Sequence, residues 1–271
     1  MAYNSKTKKG LGNYYKATSR TMTKREWKGF KDTAYDFFRW LKLYGYMGLR
    51  LGKHPILMVK ALFRYRWLVS FLTASNMVDK HTIGLRGQEL RYTHEQFYSL
   101  ICNSVDNLGL MLLRDRNLRP HSKQAEKLRN NTVMFDEMTP KLIMGGFPTL
   151  KWLDIAMLAV GMPSEIDQSA NPYYIDVVEH FGLAPDLCPF PASESGVAVA
   201  DDYPLVGKTY ITSSMPCDGS LGQVAFMTRY FKDLPIFQIT PPQRFKEEQV
   251  QNYAVKKLEK CIAFIEENYQ V

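Results

Sequence analysis

Two cysteines stand where a thiol can do chemistry. Cys188 lies in DLCPFPASESG and Cys217 in SSMPCDGS, 29 residues apart, both in polar, proline-marked stretches and off any apolar stripe. Cys217 precedes a helix predicted to start at Asp218, and the partial positive charge of a helix N-terminus lowers a thiol pKa. A thiolate is the ligand that soft metals and iron–sulfur clusters take. Free loop thiols would have the same sequence pattern, so the residues themselves leave both readings open.

The elements that must position these residues read best between Lys208 and Thr240. Thr209, Ile211 and Thr212 favour a pleated strand, and Pro216, with no N–H to donate, ends it by about Ser214. Asp218 is a good N-cap, and Leu221, Val224, Ala225 and Phe231 then share one helical face. A second β-rich run, PIFQIT, closes at Pro241 and Pro242. This order predicts a parallel strand–helix–strand unit, in which ligands collect at the carboxyl ends of the strands. Ser213, Ser214, Met215, Cys217 and Asp218 fall there.

Around this unit, KLIMGG (141–146) reads as a short strand and TLKWLDIAMLAVG (149–161) as a helix buried against a sheet. Residues 171–181 read as a helix with Pro172 in its first turn and Gly182 after its end. Residues 184–207 read as irregular, and 245–269 as a long helix with Cys261 on its core stripe. Earlier, Phe97, Leu100, Ile101, Val105, Leu108 and Leu112 trace the face of a helix spanning 93–118 that contains Cys102, expected to be a small buried residue. A polar linker is expected over 120–131. The organisation predicted is a basic flexible arm (1–23), a helical region (24–130) and a Rossmann-like α/β domain with a parallel sheet (131–271).

The chain has 271 residues and a net charge of +8, unevenly spread. Residues 1–70 hold 16 Lys and Arg against Glu26, Asp32 and Asp36, a balance of +13 that leaves −5 for the rest. The apolar run 55–75 contains Lys60, Arg64 and Arg66, each costly at a bilayer centre, so a spanning helix is not expected. Four readings of the basic, aromatic segment stand: helices packed on the rest of the protein or on a partner subunit, a membrane-surface helix, a nucleic-acid arm, and a contact to ligand phosphates. No recognition motif accompanies the charge, so nucleic acid is not the expected partner. Four cysteines without a C-x-x-C pair, and a polar N-terminus, predict a reducing cytoplasm. No Walker loop, G-x-G-x-x-G, H-E-x-x-H or G-x-S-x-G occurs. The five histidines are scattered, none at metal-ligand spacing.

LCP at 187–189, SSMPCD at 213–218, LPIFQITPP at 234–242 and the charged helix after it follow, in that order, the pattern of the 2-hydroxyacyl-CoA dehydratases and benzoyl-CoA reductases. Residues 140–271 resemble the first of that family's two Rossmann-like halves, with a strand like KLIMGGF, a helix like TLKWLDIAMLAVGMP, and a helix after LCP. The resemblance implies a 4Fe–4S cluster bound by cysteines from both halves, which injects one electron into a CoA thioester. It also implies an ATP-dependent activator protein and a heteromeric assembly. Carried over by position, Cys188 would be a cluster ligand; Cys217 with Asp218 would be a ligand or pocket wall, and Ser213 or Ser214 would hydrogen-bond the thioester carbonyl or the cluster. Where many members carry a cysteine at the end of the first strand, this chain reads Gly146, Phe147, Pro148, Thr149. A lone first half does not complete a three-cysteine site, so the expectation is a subunit or half-subunit of such an enzyme. The alternative is a non-catalytic homologue serving as scaffold.

Overall fold

The computed structural model describes residues 25–271, except 66, 73–74, 137–138, 156–169, 215–218, 241, 243 and 245. The arm predicted over 1–23, together with Cys217 and Asp218, lies outside the described residues. The chain divides into two compact units, one of Met1–Leu112 with Leu158–Ala170, the other of Leu113–Met157 with Asn171–Val271.

The first unit is helical: α1 (Phe30–Leu51), α2 (Pro55–Arg64), α3 (Trp67–Phe71), α4 (Ser75–His81) and the body of α5 (Gly87–Arg114). α1 buries Leu43, Met47 and Leu51, one turn apart, and α5 buries Ile101, Val105, Leu108 and Leu112. Polar pairs join the two helices. Asp36 accepts from Lys28 Nζ at 2.9 Å and faces His94 Nε2 at 2.5 Å, while Asp32 pairs with Arg91 at 3.2 Å. Tyr65, Trp67, Leu68 and Phe71 of the basic segment are buried, while others face solvent, with Phe63 90% exposed. No helix of the described residues is long and apolar enough to cross a membrane.

The second unit is the Rossmann-like α/β fold. Its elements after α5 are α6 (Lys123–Arg129), β1 (Thr132–Phe135), α7 (Leu142–Gly146), β2 (Lys151–Asp154), α8 (Ala170–His180), α9 (Pro189–Val199), β3 (Thr209–Ser213), α10 (Gly219–Tyr230), β4 (Ile236–Ile239) and α11 (Glu248–Tyr269). The four strands form one parallel sheet in the order β2-β1-β3-β4. β1 and β3 are buried at every position, as central strands of a parallel sheet are when both faces are covered.

The pleat sorts their side chains. Val133 and Ile211 pack with Ile239, Cys261 and Ile265 in a core beneath α11. Their neighbours Met134, Tyr210 and Thr212 turn to the opposite face. There α9 carries a run of buried residues from Pro191 to Val199. α9 crosses α8 at Gly196, where an added Cβ would lie 2.1 Å from the Tyr174 carbonyl oxygen. That approach requires glycine.

Several expectations are corrected. KLIMGG is not a strand: Leu142–Gly146 is a helical turn, and the strand lies upstream at Thr132–Phe135, inside a stretch that had no strand assigned. The run expected as a helix from 149 instead places β2 at Lys151–Asp154; its continuation over 156–161 is outside the described residues. The linker expected over 120–131 contains α6, capped by Ser122, whose hydroxyl accepts from the Ala125 N–H at 3.2 Å. The irregular stretch 184–207 contains α9, in agreement with the helix that the family pattern implies after LCP.

Candidate functional site at the carboxyl ends of β1 and β3

From β1 the chain passes to β2 on one side and later to β3 on the other, so the strand order reverses between β1 and β3. In open parallel sheets a crevice forms outside the carboxyl ends at such a reversal. The residues that end these two strands here are Asp136, Ser213 and Ser214.

Asp136 is 1% exposed and collects hydroxyl donors. Tyr210 Oη donates to its Oδ2 at 3.1 Å, Thr139 Oγ1 lies 3.1 Å from its Oδ1, and Thr212 Oγ1 makes a short contact with Oδ2. The same Tyr210 oxygen lies 3.1 Å from Glu194 Oε1, and Gln223 Nε2 donates to Glu194 Oε2 at 2.7 Å. One phenolic proton cannot serve two carboxylates. When Tyr210 donates to one carboxyl group, the other keeps its own donor: Gln223 for Glu194, Thr212 for Asp136. Burial, and then the two carboxyl groups, push the Tyr210 phenol well above its ordinary range, so it keeps its proton. The network joins β1, β3, α9 and α10 at the strand ends.

Ser213 and Ser214, both predicted as site residues, are buried at the end of β3. Their neighbouring positions send them toward opposite faces of the sheet by the pleat. The Ser214 N–H donates to Ile239 O at 3.0 Å, holding the strand end against β4. Cys188 is half-buried and is the N-cap residue of α9, with Pro189 in the first turn. Its side chain makes no capping hydrogen bond. Glu194 lies six residues further along α9, roughly 9 Å by helix rise, so the carboxylate network fixes the helix that begins at Cys188. Cys217 and Asp218 are outside the described residues, and with them the convergence of the two predicted thiols.

The other cysteines are not placed as ligands to this site. Cys261 is fully buried in the core, and burial pushes its thiol up to about 12. Cys102, expected to be buried, is only partly so; it sits on α5 in the first unit with its thiol raised by burial. Among the described residues no group of three or more His, Cys, Asp or Glu side chains could hold a metal ion.

Asp136, Glu194, Tyr210, Thr212 and Gln223 were not among the predicted site residues. Two signals for them exist in the sequence: Tyr210 and Thr212 are polar at i and i+2 of a strand, and Glu194 is the acidic residue of an otherwise small and apolar helix.

No curated protein and no solved structure matches this chain. Residues 155–271 match the sequence model of the family described as 2-hydroxyglutaryl-CoA dehydratase, D-component. The carboxy-terminal part of the chain, which holds LCP, SSMPCD and the end of β3 but not Asp136, is thus similar to a component of the 2-hydroxyacyl-CoA dehydratases.

Proposed function

We propose that the chain is a subunit, or half-subunit, of a 2-hydroxyacyl-CoA dehydratase-type enzyme acting on a CoA thioester. The observation that carries this reading is the family match over 155–271, which spans the predicted ligands Cys188 and Cys217. The crevice between the ends of β1 and β3 is the natural place for the thioester head. Ser213 or Ser214 would hydrogen-bond its carbonyl or the cofactor. The Asp136–Tyr210–Glu194 network would hold α9, and so Cys188, in place.

The cofactor in this reading is a 4Fe–4S cluster shared between this chain and a second subunit or half. Cys188 supplies one thiolate, Cys217 with Asp218 a ligand or a pocket wall, and the remaining donors come from the partner. Such a cluster, charged by an ATP-dependent activator protein, supplies one-electron reduction of the thioester. A second reading rests on the sequence: where many members of the family carry a cysteine at the end of the first strand this chain reads Gly146, Phe147, Pro148 and Thr149, which favours a homologue that keeps the fold and a partner surface without a cluster.

Anaerobic purification, with iron and sulfide analysis of the chain alone and co-expressed with a candidate partner, separates the two. Stoichiometric iron that is lost in Cys188→Ala, with the assembly intact, supports the enzyme. An iron-free assembly that still forms supports the scaffold.

A further inference from the structure

The second unit has a cavity of about 620 Å³ at the other end of its sheet. It opens where Asn130 leads into β1, Lys208 into β3 and the 232–234 turn into β4. Its ionic lining is Arg116, Arg129, Lys208 and Lys232 against Asp201 and Asp233, a surplus of two positive charges.

Arg129 makes that surplus consequential. It is 8% exposed, and of its five N–H groups it donates one to a protein acceptor, from Nη1 to Arg114 O at 2.8 Å. Its Nε is buried with no hydrogen-bond partner, and it makes no ion pair, among the described residues. Burial, and then the Arg116 charge, lower its pKa, and outweigh the more distant carboxylates of Glu126 and Asp115, neither of which pairs with it among the described residues. A guanidinium taken out of water with no carboxylate in contact is costly, and the usual resolution is an anion beside it. Asp201 does not serve: it accepts from Asn117 Nδ2 at 3.4 Å. Lys208 is itself tied to the Asn268 carbonyl.

We propose that this cavity binds a phosphate-class dianion, with Arg129 as the buried anchor and the exposed Arg116 and Lys232 as the arms that close on it. Two excess charges match a dianion better than a monocarboxylate. Paired guanidiniums present the forked donors that phosphoryl oxygens take. The volume accommodates a phosphorylated organic molecule as well as the inorganic ion. The site lies at the amino ends of the strands and does not depend on the dehydratase reading.

The test is thermal melting of the full chain at constant ionic strength with inorganic pyrophosphate, ADP or acetate. Pyrophosphate and ADP should raise Tm in a saturable way, whereas acetate should not. A response to ADP much stronger than to pyrophosphate would identify an organic phosphate as the ligand. The exposed double variant Arg116→Gln/Lys232→Gln should melt as the wild type does without ligand and weaken pyrophosphate binding at least ~10-fold, the loss of about one charge-assisted contact. Arg129→Gln should raise the ligand-free Tm, since it removes a buried charge that no carboxylate contacts, and abolish the response. No response in the wild type would overturn the proposal, as would an equal response to acetate or one unchanged in the double variant.

Discussion

Tyr210 on β3 reaches Glu194 on α9 across 3.1 Å, a hydroxyl shared between two buried carboxyl groups at the end of the sheet. Replacing it with phenylalanine removes the bridge and leaves both carboxyls short of a partner. Tyr210→Phe should cost about 1–3 kcal/mol in urea unfolding. Glu194→Gln, which keeps a neutral group able to donate, should cost less than Glu194→Ala. Equal losses for Gln and Ala would show that the hydrogen bonds of this side chain do not hold α9 in place.

Gly196 should be intolerant of any side chain. Gly196→Ala places a Cβ 2.1 Å from Tyr174 O, backbone that cannot swing away, and should destabilise by about 3 kcal/mol or more. Gly109, in α5, meets nothing within 4 Å, so Gly109→Ala should stabilise by up to ~1 kcal/mol. Paired melting curves of the two variants check both signs.

The thiols should separate by reactivity. Iodoacetamide under native conditions should label half-buried Cys188 and spare Cys261, which has no exposed surface and a pKa pushed up to about 12. Cys261 should label only in denaturant. Peptide mass spectrometry reads the order directly, and native labelling of Cys261 would contradict the packing of α11.

Acid should loosen the first unit. Burial raises the Asp36 pKa, but hydrogen bonds from His94 and Lys28 outweigh it, and the net shift is downward. A carboxyl whose pKa is lower in the folded than in the unfolded state contributes stability above about pH 4, lost as pH falls through the folded value. Asp36→Asn should therefore lower Tm at pH 7 by removing that contribution, and flatten the acid limb of the Tm profile. Parallel acid limbs in wild type and variant would refute this.

How much of this was legible depended on whether an element has a wet face or turn residues that mark its ends. β3, β4 and α11 follow their residue patterns closely because turn residues or an amphipathic stripe mark their ends. α9 does not: PFPASESGVAV is buried from Pro191 to Val199, so it has no polar stripe, and its prolines read as loop although Pro189 fits a first helical turn. β1 is only TVMF and follows a polar stretch, so its pattern is weaker than that of the apolar KLIMGG, which reads as the strand. With β1 went Asp136, and hence the partner that gives Tyr210 and Thr212 their meaning. The side-chain network was illegible because it joins residues as many as 76 positions apart.

At the far end of the sheet, Tyr269 donates from its hydroxyl to Thr132 O at 2.6 Å and meets Thr209 Oγ1 at 3.0 Å. That latch spans 137 residues, from the last turn of α11 back to the first residue of β1. On a translating ribosome, the central strands emerge long before their fastener does. During that interval their apolar edges are open to chaperones, or to misassembly with neighbouring chains.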